Sequence, residues 1–168
     1  ENFKKNIFDK AKALSEKYIN IYPESAAIRY WYLANLGSWA EVYGILTAAY
    51  EGVADIMKNQ SEKIIEIDKE YWNGGGYFML GATHYKSPYI PFILPWPDNS
   101  EAIRILKLSL NTGKALPNQQ FYLAQALQKE GKEKESIRVL TELSQMNPSS
   151  TEKVEDLEWI LQAIDLLK

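Results

Sequence analysis

The chain of 168 residues has no cysteine and a single histidine, His84. Those two absences exclude a thiol nucleophile, a disulfide framework, a thiolate zinc site and any multi-histidine metal site. A strong charge of one sign is missing as well. The balance of 19 basic against 22 acidic residues gives a formal charge of -3, and without a basic run there is none of the counterion-release affinity that nucleic-acid binding depends on. No stretch reaches the roughly 20 apolar residues of a membrane helix, and the most apolar one, Tyr89 to Trp96, is broken by Pro91 and Pro95. What the chain has in excess is rings, with Trp 5 and Tyr 11, a composition that points to packing or recognition. At about 150 residues per domain the length predicts a single domain, 1–168. The first residue is Glu1 and not Met, which predicts a processed or truncated protein whose targeting segment is missing.

Apolar residues Phe3, Ile7, Phe8, Ala11, Leu14, Tyr18 and Ile21 recur at steps of three and four, the period of an amphipathic helix. Residues 25–50 read as helical, with Gly37 and Gly44 as candidate breaks, and helix continues to about Lys69. The triplet Gly74-Gly75-Gly76 marks a break, and Tyr77 to Lys86 reads as a short helix. A segment at 87–97 then holds four of the seven prolines, Pro88, Pro91, Pro95 and Pro97; it suits neither helix nor central strand. Helices are predicted at about 98–111, 118–129, 133–146 and 150–167, and no strand of useful length.

Regular helices joined by short turns suggest internal repeats. Gln120-x-x-Leu123-Ala124-x-x-Leu127 followed by Ser136-x-x-x-Leu140, Leu143 and Pro148 falls on the tetratricopeptide template. Tyr77-x-x-Leu80-Gly81-x-x-His84 followed by Ala102-x-x-x-Leu106 fits it too, with the proline-rich segment as an insertion. Tyr30-x-x-Leu33-Ala34 opens a looser third copy that ends at Ile64-x-x-Ile67-Asp68, and Ala11, Ser15, Tyr18, Ile21 and Pro23 match only a second helix. The expected fold is all-α: about three tetratricopeptide-like helical hairpins, an N-terminal half repeat and a C-terminal capping helix. Small residues Ala34, Gly81 and Ala124 are predicted at the closest helix crossings, answered by Ala102 and Ser136.

The run Tyr30-Trp31-Tyr32-Leu33-Ala34-Asn35-Leu36-Gly37-Ser38-Trp39, a long helical stretch to Ile65-Glu66-Ile67-Asp68, Tyr71-Trp72-Asn73-Gly74-Gly75-Gly76, Leu80-Gly81-Ala82 and Ser100-Glu101-Ala102 together resemble the T component (TatT) of bacterial TRAP transporters. The resemblance covers most of the chain from about residue 25 onward. It implies a divergent tetratricopeptide fold, a periplasmic lipid-anchored protein, a homotrimer, and partnership with the transporter's solute-binding protein. The family's lipid-bearing cysteine is not in the chain, so the anchor is expected upstream of Glu1.

Several candidate sites read as structural. His84 falls on a core position of its helix, where a packed ring is usual, and no G-x-S-x-G elbow is present to pair it with a serine. Asn73-Gly74-Gly75-Gly76 matches neither the P-loop nor the dinucleotide fingerprint and reads as a turn. The acidic pairs around Glu66 and Glu155 read as solvated surface. The inward-facing positions of the first helices, by contrast, collect an aromatic floor with amides and lysines: Trp31, Asn35 and Trp39, then Phe78, Tyr85 and Lys86, then Phe121, Gln125, Gln128 and Lys129. Such a composition suits a ligand or peptide groove, although the same rings would also pack against the insertion. The insertion itself, with Tyr89, Phe92, Leu94 and Trp96, is too apolar to be left in water and is expected to act either as a lid or as a subunit contact. The leading expectation is a non-enzymatic binding protein without cofactor or metal, partnered by a TRAP-type solute-binding protein and holding a small apolar ligand in the groove. A generic tetratricopeptide adaptor, gripping a peptide or protein terminus through Lys86 and Lys129, is the alternative.

Overall fold

The computed structural model describes residues 2–168. It is helical over 75% of the chain and has no strand among the described residues, so the all-α expectation holds. The elements are α1 (Asn2–Ile21), α2 (Ala26–Tyr43), α3 (Ile45–Tyr50), α4 (Val53–Ile67), α5 (Tyr71–Lys86), α6 (Asn99–Leu110), α7 (Pro117–Lys129), α8 (Glu133–Ser144) and α9 (Lys153–Leu166).

Local chemistry sets most of the boundaries. Ser25 caps α2 by accepting from the Ile28 N–H at 3.3 Å, and Asp98 caps α6 by accepting from the Glu101 N–H at 2.7 Å. Pro117 opens α7 at a position where its missing N–H has no helical partner to lose. Of the two candidate breaks in the second helical stretch, only Gly44 acts: it stands at φ 88° and separates α2 from the short α3. Helix α2 runs straight through Gly37.

Contacts run in opposite chain order between α2 and α4 (Arg29 with Gln60, Gly37 with Met57), α5 and α6 (Gly74 with Ser109, Gly81 with Leu106), and likewise between α4 and α5 and between α6 and α7, so α2, α5 and α7 run in the same direction. In the α5–α6 pair, a Cβ on Gly81 would lie 2.7 Å from Leu106 Cγ, and Ala102 and Leu106 are fully buried. In the α7–α8 pair, the Ser136 hydroxyl donates to the Ala124 carbonyl at 2.8 Å. Ala34 departs from this pattern: it is half-buried and faces an open cleft instead of a helix crossing. Arg29, buried near the start of α2, donates to the Pro23 carbonyl at 2.6 Å and to Gln60 Oε1 of α4, which ties three segments together.

Helix α5 begins with an irregular turn. Trp72, Asn73 and Gly74 occupy left-handed backbone with φ of 50°, 54° and 80°. The first two are costly for residues with a Cβ. The turn is held by Asn73, whose side-chain oxygen accepts from the Lys114 N–H at 3.0 Å and whose carbonyl accepts from Gln119 Nε2 at 2.8 Å. Gly75 and Gly76 belong to the helix proper and permit close approach: a Cβ on the former would meet the Tyr30 ring at 2.7 Å, and on the latter Ile64 and Ile65 at 2.9 Å.

Candidate functional site

The parallel helices enclose a cleft of about 940 Å³. Its floor is one face of α5: Phe78, Met79, Ala82, Thr83 and Lys86, spaced by three and four residues. One wall is α2, where Tyr30, Trp31, Ala34, Gly37, Ser38 and Glu41 face inward. Tyr122 of α7 and Glu152, Glu155 and Trp159 at the start of α9 form the other. The far end is lined by Ile45, Ala48 and Ala49 of α3, Val53, Ala54 and Met57 of α4, and Leu94. The small residues of α2 leave the space open. A Cβ on Gly37 would touch nothing nearer than Met57 Cε at 3.9 Å, so its lack of a side chain gives volume to the cleft, whereas that of Gly81 gives volume to a helix seam.

Aromatic rings gather at the near end. Trp31 and Trp72 meet edge to face with centroids 5.8 Å apart, and Tyr30 meets Trp31 at 5.6 Å and Tyr71 at 5.7 Å. Trp72 reaches this cluster because the left-handed turn rotates it onto the cleft side of α5. Burial pushes the Tyr30 phenol well above its ordinary value, and the charges of Glu155 and Glu152 add to the shift. Midway along the cleft, burial pushes Tyr122 up to about 12, with Glu41 contributing across the gap. The Trp159 Nε1–H is buried without a hydrogen-bond partner among the described residues.

The ten residues predicted for the groove do not all meet there. Trp31, Phe78 and Lys86 line the cleft; the other seven do not. Trp39 lies eight residues beyond Trp31, roughly 80° around the helix, and is buried under α1. Its Nε1–H donates to Asp9 at 2.8 Å, its ring stacks on Tyr43 at 4.4 Å, and Lys12 lies over it at 4.7 Å. Asn35 donates to the Trp31 carbonyl at 2.8 Å. Phe121 is covered by Trp159, with centroids 5.2 Å apart, because α9 folds onto the face of α7 that a longer stack would leave open. Its neighbour Tyr122 faces the cleft instead. Tyr85 packs edge-on against Tyr122 at 6.1 Å. Gln125 is half-buried outside the cleft and Gln128 is exposed. Lys129 donates to the Tyr85 carbonyl at 3.2 Å and lies over its ring.

The insertion forms a small hairpin in which Ile90 and Leu94 exchange backbone hydrogen bonds of 2.9 and 2.8 Å. Leu94 is buried and reaches the cleft, while Tyr89 and Phe92 point into solvent. Trp96 anchors the segment. Its Nε1–H donates to Asp55 at 2.7 Å, and its ring meets His84 at 4.9 Å and lies under Lys58 at 4.8 Å. His84 is buried, its Nδ1 accepts from the Asp98 N–H at 3.3 Å, and burial lowers its pKa below the ordinary imidazole value. Sequence periodicity missed Trp72, Tyr122, Trp159 and the α9 carboxylates. The signal that existed was the glycine triplet beside Trp72, which demanded an unusual backbone there.

No family model matches the chain, and no curated protein is similar enough to it to count as a relative.

Proposed function

We propose that this chain is a tetratricopeptide-type binding protein, the T component of a TRAP-type uptake system, and that its cleft holds a ligand with an apolar body. The repeat reading is supported by the close crossings of Gly81 on Leu106 and Ala124 under Ser136, and by the parallel course of α2, α5 and α7. The observation that carries the binding reading is the cleft itself. Its volume of about 940 Å³ lies near the upper end of small-molecule sites, and its lining of rings, methionines and small residues around a few polar groups is what such sites use. The peptide-adaptor alternative gains nothing from its two lysines. Lys86 lies over the rings of Tyr85 and Tyr122 at 5.7 and 5.4 Å, and Lys129 is bonded to the Tyr85 carbonyl outside the cleft.

The periplasmic location, the lipid anchor, the homotrimer and the solute-binding-protein partner follow from the resemblance and belong to the same proposal. No helix among the described residues is long and apolar enough to cross a membrane. The assembly would use exposed apolar stripes on the terminal helices: Phe3, Ile7, Leu14 and Tyr18 on α1, and Val154, Leu157, Leu161 and Ile164 on α9. Calorimetric titration with the TRAP solute-binding protein of the same organism tests the partnership. Saturable association is expected, and its absence at micromolar concentrations removes the transporter assignment while leaving the cleft as a ligand site.

A further inference from the structure

The cleft is unequal in charge. Of its carboxylates, Asp156 is committed to the Ser149 N–H at 2.7 Å, but Glu41, Glu152 and Glu155 make no ion pair among the described residues. Of its cations, Lys86 is held over two rings, and Lys114, whose N–H is bonded to Asn73 next to Trp72, sets one positive charge against the two glutamates of α9. Glu152 and Glu155, both exposed, line the same cleft as Tyr30, Trp31 and Trp72 and act on the Tyr30 phenol; Trp31 is 51% and Trp72 38% exposed. Available indole surface beside carboxylates is the environment that holds an organic cation, through the ring quadrupole and through charge. The opposite end, lined by Ile45, Val53, Met57 and Leu94, is mostly apolar, with Glu41, Lys86 and Ser87 as the polar groups nearest to it in sequence.

This inference rests on the reading of the cleft as a ligand site. We propose that its occupant is an amphiphile with a positively charged head, the head lying among Trp31, Trp72, Glu152 and Glu155 and the apolar body running along α5 toward Leu94. A ligand that fills the cleft strips water from the α9 carboxylates. A cationic head compensates that loss, a neutral head leaves it uncompensated, and an anionic head adds repulsion, so the same walls select among tails of equal length.

The test is a tryptophan-fluorescence titration with decyltrimethylammonium, decanol and decanoate below their micelle or solubility limits, in about 0.1 M salt so that remote charges are screened. The expected result is binding of the cation about tenfold tighter than that of the alcohol, with decanoate weakest. The double variant Glu152→Gln with Glu155→Gln should abolish the advantage of the cation, bringing its affinity to within about twofold of that of decanol; Gly37→Phe, which fills the cleft, should weaken all three. Equal affinities, a preference for decanoate, or a cation preference that survives the double variant would overturn the charge assignment while the cleft remained a ligand site. Binding of none of the three, or binding undiminished in Gly37→Phe, would overturn the site together with its charge preference.

Discussion

Gly37 and Gly81 occupy helices of the same direction but serve opposite ends. The first borders open volume and the second a closed seam. Replacing a helical glycine with alanine where nothing is in the way should stabilise by roughly 0.5–1 kcal/mol, so Gly37→Ala should raise the urea midpoint. The same change at Gly81 forces a methyl group against Leu106 and should destabilise by about 1–3 kcal/mol. Acid should loosen the contact between α1 and α2. Asp9 accepts from Trp39 Nε1 at 2.8 Å and from the Tyr43 hydroxyl at 2.8 Å, and these bonds hold its carboxyl below the usual range. With the folded-state pKa depressed, this contribution is complete above the unfolded value of about 3.9 and is lost as the pH falls through the folded one. Trp39 emission followed through that window should report the release of α1, and Asp9→Asn should abolish the acid step.

Among the elements, the left-handed turn that opens α5 is the most exacting. Two residues with side chains sit at positive φ; Asn73 bonds the turn to Lys114 in the α6–α7 connection and to Gln119 of α7, and the Ser109 hydroxyl of α6 donates to the Gly74 carbonyl. Asparagine tolerates this backbone better than alanine, and its side chain satisfies the Lys114 N–H. Asn73→Ala should therefore lower stability by about 1–3 kcal/mol, measured by chemical unfolding, and should disturb the Trp31–Trp72 contact in the near-ultraviolet circular dichroism.

At the scale of the whole molecule, the ends of the helical stack remain uncovered. On α9, Val154, Leu157, Leu161 and Ile164 recur at steps of three and four, and Val154 is 83% exposed. A single charge at the centre of such a stripe should disrupt any contact between copies, because a carboxylate buried without a partner is strongly disfavoured. On the proposal that copies meet through this stripe, Leu161→Glu is expected to shift the protein to a smaller species in sedimentation velocity while its helical circular dichroism is unchanged.

Periodicity and turn chemistry determined the all-helical class, the positions of most helices, and the Gly81 and Ala124 crossings, because each depends on residues within one or two turns of each other or on a small side chain at a fixed step. Gly37 reads in sequence like Gly44, yet only the latter ends a helix. Helix α2 tolerates a glycine whose neighbours stay in register, whereas the chain at Gly44 needs positive φ to turn into α3. The cleft was only partly legible. Trp31, Phe78 and Lys86 followed from helical register, but Trp39 went to α1 and Phe121 to α9, since which face of a helix is covered depends on segments thirty or more residues away in sequence. The tertiary structure alone decided that Trp72, Tyr122 and Trp159 line the cleft and that two carboxylates of α9 stand beside its rings. Those placements depend on how α9 folds back over α7, which no local pattern encodes, and on three left-handed residues at the start of α5, which the glycine triplet marks without showing where Trp72 goes.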